Sequence, residues 1–225
     1  MRILSITAQK PNSTGSGVYL TELVKEYALL GYEQAVVAGV YREDKVELPD
    51  GVDFYPVYFC EEGLPYPIVG MSDEMPYIST KYCEMSPEMV EQFRSSFMSV
   101  IERAVEELQP DLILCHHLYL LTALVREHFP ERKVYGFCHN TDLRQMQKTD
   151  LERAFIRAQI GRLDHIFVPQ RAQEEGVLAL YPVSKEKITR VGMGYNDQIF
   201  HLADGSCNKE GVTSLVFAGK IAEKK

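Results

Sequence analysis

Three histidines stand where two buried stretches of the sequence end. His116 and His117 directly follow the apolar run DLILC, and His139 directly follows KVYGFC within the segment HNTD. An imidazole can hydrogen-bond, move a proton or bind a metal. No HExxH motif or Cys/His spacing accompanies these residues, so a metal site completed by Asp142 is the weaker interpretation. We favour neutral polar groups that bind sugar hydroxyls or a phosphate in a cleft.

A glycine-containing segment, KPNSTGSGVYL, is the second candidate for chemistry. Gly15, Ser16 and Gly17 lie where a helix is predicted to begin. Free N–H groups and the helix dipole favour an anion there, typically phosphate, and glycine lets the backbone approach it closely. No GK[ST] follows, and Leu20 occupies the third glycine position of a dinucleotide fingerprint. A plain turn with a helix cap is the alternative interpretation.

Alternating elements must position these residues. Apolar runs predict strands, and amphipathic stretches between them predict helices. The predicted strands are 2–8, 33–39, 52–59, 111–115, 133–138, 165–169 and 187–192, and the predicted helices are 17–31, 87–108, 118–129, about 148–162 and about 170–181. Such alternation predicts an α/β fold, a doubly wound parallel sheet with helices on both faces. Ligands of such sheets bind at the carboxyl ends of the strands, where both candidates fall.

The segment 61–85 has no regular period and is rich in proline, glycine, methionine and tyrosine. A loop this long is usually functional or disordered, and its apolar content argues against disorder. We interpret it as a cover over the cleft, with Tyr66, Met75 and Tyr77 as contacts. The alternative is a flap that packs on the core and binds nothing.

Composition limits the classes of function. The chain has 225 residues and a formal net charge of −8, which argues against a general nucleic-acid or anionic-membrane binder. No apolar stretch approaches the length of about 20 residues that a membrane helix needs. The five cysteines form no CxxC pair, which favours reduced thiols in a cytoplasmic protein.

The ordered set of segments resembles family 4 glycosyltransferases of the GT-B fold. The segments ALLGYE, DLILCHH, CHNTDL and ITRVGMGYNDQIF occur in the same order as the family's ARGHEV, DVVHAH, HGTDL and VIPNGVDPERF. The tail VFAGKIAEKK is similar to the family's VGRLVPEKG, which opens a second domain. The resemblance implies an acceptor-binding, Rossmann-like GT-B N-terminal domain at 1–200, a linker at 201–212, and the first strand and loop of a truncated nucleotide-sugar-binding domain at 213–225.

The resemblance also implies residue roles. His139 matches the family histidine near the transferred sugar and is the expected catalytic residue. The segment MGYN replaces the family's NGVD, and Gln170 stands where a serine is common, so donor and acceptor identities stay open. The expected donor-binding groups are the amides of Gly15, Ser16 and Gly17 and the side chains of Lys220 and Lys225. The expected acceptor-binding residues are His116, His117, Tyr77, Asn140, Thr141 and Asp142.

The expected function is transfer of a sugar from a nucleotide-sugar donor to a glycan, lipid or small-molecule acceptor, with retention of configuration. The lysines take the place of a metal, so no metal or other cofactor is expected, and the 225-residue chain alone is expected to be inactive. Peripheral membrane contact and the oligomeric state stay open. The alternatives are a nucleotide-sugar epimerase or phosphorylase of similar fold, and a non-catalytic domain that binds a ligand or partner.

Overall fold

The structure, a computed structural model, describes residues 1–201, and its frame is a parallel sheet of seven strands within that range. The elements of Met1–Met193 are β1 (Arg2–Thr7), α1 (Gly15–Leu29), β2 (Glu33–Val40), β3 (Val52–Tyr58), β4 (Val69–Gly70), β5 (Thr80–Lys81), α2 (Pro87–Leu108), β6 (Leu112–His116), α3 (Leu120–His128), β7 (Val134–Phe137), α4 (Thr141–Lys148), α5 (Arg153–Ile160), β8 (His165–Val168), α6 (Arg171–Leu180) and β9 (Ile188–Arg190). The predicted strand at 213–219, most of the predicted linker, Lys220 and Lys225 lie outside the described residues.

The strand order of the large sheet is β3-β2-β1-β6-β7-β8-β9, and all six neighbouring pairs are parallel. The chain moves outward from β1 to β3, crosses over through α2, and then moves outward in the other direction from β6. The order therefore reverses between β1 and β6, which is the place where doubly wound sheets bind ligands.

Helices cover both faces of this sheet, as predicted. On one face, Leu4 and Ile6 of β1 pack in a large core with residues of α2, α3 and α5. On the other face, α1 covers two smaller clusters, one around Val36 and Ala38 and one around Ile3, Leu114 and Phe137. The central strands β1, β2 and β6 are buried on both faces, which explains why their sequences are almost continuously apolar.

The helix predicted at 87–108 is confirmed at both ends as α2. The Ser86 hydroxyl accepts a hydrogen bond from the Met89 amide at 3.2 Å, and Pro87 occupies the first turn. Gln109 adopts a left-handed conformation with φ of 49° and ends the helix before Pro110.

The helix predicted over about 148–162 is present but shorter, as α5 from Arg153 to Ile160. A separate helix that was not predicted, α4 from Thr141 to Lys148, precedes it, with a break over residues 149–152. At the break, the Thr149 hydroxyl accepts from the Leu151 amide at 3.1 Å, and Glu152 has φ of 46°. Side chain to backbone hydrogen bonding by threonine competes with helix continuation, which accounts for the interruption.

The segment 61–85 is folded against the core and contains the short parallel pair β4 and β5. Leu64, Ile68 and Tyr82 are almost completely buried. Tyr66, which we predicted as a ligand contact, is also buried, and its hydroxyl donates to the Met89 carbonyl at 2.7 Å. Tyr66 is therefore a packing residue that joins this segment to α2.

None of the described helices combines the length and the apolar content needed to cross a bilayer.

Candidate functional site

The start of α1 forms one wall of the site. Thr14 caps the helix by accepting from the Gly17 amide at 3.1 Å, and the Ser16 hydroxyl lies 3.1 Å from the Thr14 hydroxyl. The backbone N–H groups in the first turn of a helix have no intrahelical acceptor. Among the described residues, the Gly17 N–H is the one in this turn that donates to a side chain. The amides of Gly15 and Ser16 are thus the ones oriented to receive an anion.

The two glycines of this turn have different reasons to be glycine. A Cβ atom at Gly17 would lie 2.5 Å from the Lys10 carbonyl oxygen, so the preceding loop packs directly on this position. A Cβ atom at Gly15 would meet nothing within 4 Å. Gly17 therefore permits the fold of the loop, whereas the open space at Gly15 leaves the backbone accessible to a ligand.

The predicted histidines form one cluster at the carboxyl ends of β6 and β7. The Nδ1 atom of His116 lies 3.1 Å from the Nε2 atom of His139, and the planes of the two rings are 17° from parallel with centroids 5.3 Å apart. The His117 ring lies 4.8 Å from that of His139. His116 and His117 are buried, while His139 is part-exposed and lines a small surface pocket.

Burial keeps all three imidazoles neutral at pH 7. Desolvation lowers the pKa of His139 to about 4. Desolvation, and then repulsion from the protonated form of His139, lower the pKa of His116 and of His117 well below the ordinary value. A neutral imidazole offers one donor and one acceptor, so the cluster suits hydroxyl groups better than it suits a phosphate charge.

We predicted that Asp142 lines the rim of the site, but the structure places it beneath the rim. Its carboxylate accepts from the amide of Leu118 at 2.8 Å and from the amides of His139 at 3.2 Å and Leu143 at 3.1 Å. The residue is completely buried, and burial raises its pKa although the three amides oppose that shift. The side chain joins the turn after β6 to the turn after β7, which positions the histidines relative to each other.

Two residues of these turns have unusual backbone conformations. His117 and Asn140 both have φ of 71°, a left-handed value that is uncommon for residues other than glycine. The His117 amide is held by the Phe137 carbonyl at 3.0 Å. We predicted that Asn140 and Thr141 line the rim of the site. Both residues are part-exposed at the start of α4. Strain of this kind is often found at functional sites.

Tyr19 is the site residue that the sequence reasoning missed. Its ring lies edge-on to those of His116 at 6.3 Å and His139 at 5.6 Å, and it lines the same pocket as His139. Tyr19 follows Gly15 by four residues, so both lie on one face of α1. The spacing Tyr19, Leu23 and Tyr27 was the available signal, since these three residues pack together against the sheet.

The Tyr77 hydroxyl and His117 Nδ1 are buried near the site, and neither makes a hydrogen bond of standard geometry within residues 1–201, although the Lys10 backbone lies near the Tyr77 hydroxyl. Tyr77 belongs to the segment 61–85, and its ring lies 5.1 Å from the Lys10 ammonium, which is also 4.4 Å from the Tyr41 ring. Lys10 follows β1 and forms an ion pair with Asp44. The segment 61–85 therefore reaches the carboxyl edge of the sheet, where we predicted a cover.

Within residues 1–201, no group of three His, Cys, Asp or Glu side chains has the arrangement to hold a metal ion.

The fold and the site define a Rossmann-like α/β domain whose polar groups meet at the switch point of the sheet. The profile of Glycosyltransferase Family 4 matches residues 13–198. The chain therefore belongs to that family, and the resemblance seen in its sequence is confirmed. No curated protein sequence matches the chain.

Solved structures share the fold at low sequence identity. Sucrose-phosphate synthase from Thermosynechococcus elongatus superposes with a TM-score of 0.66 at 14% identity, over 90% of this chain and 50% of that one. Alr3699/HepE from Anabaena, in complex with UDP and glucose, gives 0.55 at 11% identity, over 91% and 47%. UDP-GlcNAc 2-epimerase from Methanocaldococcus jannaschii gives 0.52 at 11% identity, over 86% and 46%. The chain thus spans about half the length of these structures, and its fold is that of a GT-B N-terminal domain.

Proposed function

We propose that this chain is the acceptor-binding portion of a glycosyltransferase that moves a sugar from a nucleotide-sugar donor to an acceptor with retention. The observation that supports the proposal best is that the Tyr19 ring, one turn after the start of α1, contacts the rings of His116 and His139, which brings α1 against the histidine cluster. An anion-binding helix start next to a neutral hydrogen-bonding group suits a sugar attached to a diphosphate.

The proposed donor side is the first turn of α1. A departing diphosphate gains negative charge in a transition state of oxocarbenium character, so fixed N–H dipoles that face it lower the barrier. The amides of Gly15 and Ser16 supply such dipoles, with Gly17 completing the turn. By resemblance, Lys220 and Lys225 would add positive charge, in place of a metal ion.

The proposed role of His139 follows from its neutral state. A pKa of about 4 leaves the ring uncharged at pH 7. It would therefore position a sugar hydroxyl or stabilise partial charge by hydrogen bonding, and it would not act as a cation. His139 is the residue we propose to contact the transferred sugar.

The proposed acceptor side is formed by the turn after β6 and the segment 61–85. His117 Nδ1 and the Tyr77 hydroxyl are buried, and neither makes a hydrogen bond of standard geometry within the described chain, which is costly for polar atoms. An acceptor hydroxyl would satisfy them. Asn140 and Thr141 would line the same rim, and His116 would act behind it. A glycan, a lipid headgroup or a small metabolite all carry such hydroxyls.

A donor screen on the protein in its natural full length tests the proposal. We would supply UDP-, GDP- and ADP-sugars with a broad acceptor mixture and measure nucleoside diphosphate release. We expect release from one donor, its loss in His139→Ala, and its retention in His128→Ala, because His128 pairs with Glu102 on the surface at 2.7 Å. Release that is unchanged in His139→Ala, or absent with every donor, would count against the proposal. We also propose that the 225-residue chain is inactive by itself, which the same assay measures.

A second candidate function is epimerisation of a nucleotide sugar, because a UDP-GlcNAc 2-epimerase shares this fold. The same incubations distinguish the two functions when the sugar products are resolved by chromatography. An epimerised sugar formed from UDP-GlcNAc without any acceptor would favour the epimerase, whereas a glycosylated acceptor would favour the transferase. Both proposals include a cytoplasmic location for the protein.

A further inference from the structure

We infer that His116 is a positioning residue for His139: it occupies the Nε2 atom of that ring and leaves Nδ1 as the nitrogen that faces a ligand. This inference rests on the proposed role of His139. The observation that supports the inference is the 3.1 Å distance between His116 Nδ1 and His139 Nε2.

A hydrogen bond between two neutral imidazoles contains one proton. Two N–H groups that face each other repel, and two lone pairs do the same, so one nitrogen must donate and the other must accept. The tautomers of the two rings are therefore linked. Because Nε2 of His139 is engaged in this bond, its Nδ1 carries a proton when His116 donates and is an acceptor when His139 donates, so the two rings always share one tautomer.

His116 is suited to this role because it is held more firmly than His139. It is the last residue of β6 and pairs in register with Phe137 of β7. Its ring stacks on the Phe137 ring at 5.0 Å with an interplanar angle of 15°, and the Tyr19 ring lies edge-on to it. His139 lies in the turn after β7, directly before Asn140 with its left-handed backbone. A ring fixed on a strand can orient a ring on a turn.

The alternative is that His116 only fills space. Loss of packing would reduce stability but would leave the proton distribution of the His139 ring unchanged. Loss of the hydrogen bond would release both tautomers of His139. The two roles therefore differ in a spectroscopic observable that does not depend on any substrate.

Nitrogen-15 NMR of histidine side chains in the 225-residue chain makes this distinction at neutral pH. In the wild type, we expect His139 and His116 to show the same tautomer populations, because one shared proton links them. His116→Phe keeps an aromatic ring for stacking but removes the bond, and we expect the tautomer ratio of His139 to change. His116→Asn places an amide group near the former Nδ1 position and should move the His139 ratio back toward the wild-type value. His116→Gln, whose amide lies near the former Nε2 position, should not. His165, which bonds to Thr189 at 2.8 Å, serves as the internal reference.

His139 signals that are identical in the wild type and in His116→Phe would overturn the inference. If His116→Phe does not fold, the comparison of His116→Asn with His116→Gln decides it, since equal spectra would also overturn the inference. In the donor assay, we expect His116→Phe to lower kcat and His116→Asn to recover it. Absence of donor release in the wild type would contradict the proposed function, while the tautomer measurement would still decide this inference.

Discussion

At the scale of single residues, the histidine cluster of the site is polar and uncharged. Burial lowers the pKa of His116, His117 and His139, and the Asp142 carboxylate is occupied by backbone amides. Removing these groups from water disfavours their charged forms. The described part of the site therefore offers directional hydrogen bonds, and charge for a diphosphate must come from helix dipoles or from residues beyond this range.

The buried histidines should make the protein sensitive to mild acid. The folded His139 has a pKa of about 4, below the ordinary value of 6.5, so between these values the unfolded chain binds a proton that the folded chain does not. Stability present at neutral pH is therefore lost as the pH falls through this window, and His116 and His117 contribute with the same sign. Asp142 acts in the opposite direction, because its pKa is raised and the folded state takes up its proton first.

Urea unfolding between pH 7 and pH 5 measures this effect. We expect the free energy of unfolding to fall with pH in the wild type. In His139→Gln, we expect the free energy of unfolding to fall less steeply with pH. The slope should be smaller than that of the wild type by at most about 1.4 kcal/mol per pH unit, which corresponds to one proton. Equal slopes for the two proteins would show that His139 titrates normally in the folded state.

The Asp142 carboxylate should be a major source of local stability. Asp142→Ala leaves three buried amides without their acceptor, so we expect the free energy of unfolding to fall by about 3 kcal/mol. Asp142→Asn keeps one acceptor oxygen and should lose less. Asp150→Ala is the control, because that side chain is 90% exposed and pairs with Arg153 of its own turn. Similar unfolding curves for Asp142→Ala and Asp150→Ala would contradict this role.

At the scale of elements, the sequence predicted those features that depend on residues close together in the chain. The ends of α2 were predictable because Ser86, Pro87 and Pro110 act within a few residues of the helix itself. The start of α4 was missed because Asp142 bonds to Leu118, which lies 24 residues away in sequence. The spacing of Tyr19, Leu23 and Tyr27 predicts that they share one face of α1, but the contact of Tyr19 with the histidines depends on the pairing of β1 with β6. The histidines were found because parallel strands end at one edge of the sheet.

The two glycines at the α1 start should separate folding from binding. Gly17→Ala brings a methyl group 2.5 Å from the Lys10 carbonyl, so we expect a loss of about 1–3 kcal/mol in the free energy of unfolding. Gly15→Ala meets open space and should keep or slightly raise stability. In the full-length protein, we expect Gly15→Ala to weaken donor binding, because its methyl group occupies the space before the free amides. Calorimetry of both variants checks this, and equal donor affinity for Gly15→Ala and wild type would mean that the anion does not approach this turn.

At the scale of the whole molecule, the segment 61–85 connects the two halves of the sheet at the carboxyl edge. The Tyr41 hydroxyl, directly after β2, donates to the Ile78 carbonyl at 2.7 Å and accepts from the Ile68 amide at 3.1 Å. At the other end, Gln145 of α4 donates to the Met71 carbonyl at 3.0 Å. The segment thus contacts elements on both sides of the switch point, so its order and the geometry of the acceptor side should depend on each other.

Tyr41→Phe tests that dependence, because it removes both hydrogen bonds of one hydroxyl and leaves the buried Ile68 amide without an acceptor. We expect a loss of about 1–3 kcal/mol in the free energy of unfolding. We also expect faster hydrogen exchange over residues 61–85, while α2 stays protected. Tyr58→Phe is the matched control, since that ring is part-exposed and contacts Arg42. If exchange over 61–85 is equally slow in both variants, Ile68 and Ile78 are held by core packing alone, and the segment is a fixed wall of the site. If exchange rises in Tyr41→Phe alone, one hydroxyl controls the order of the segment that carries Tyr77 to the acceptor side.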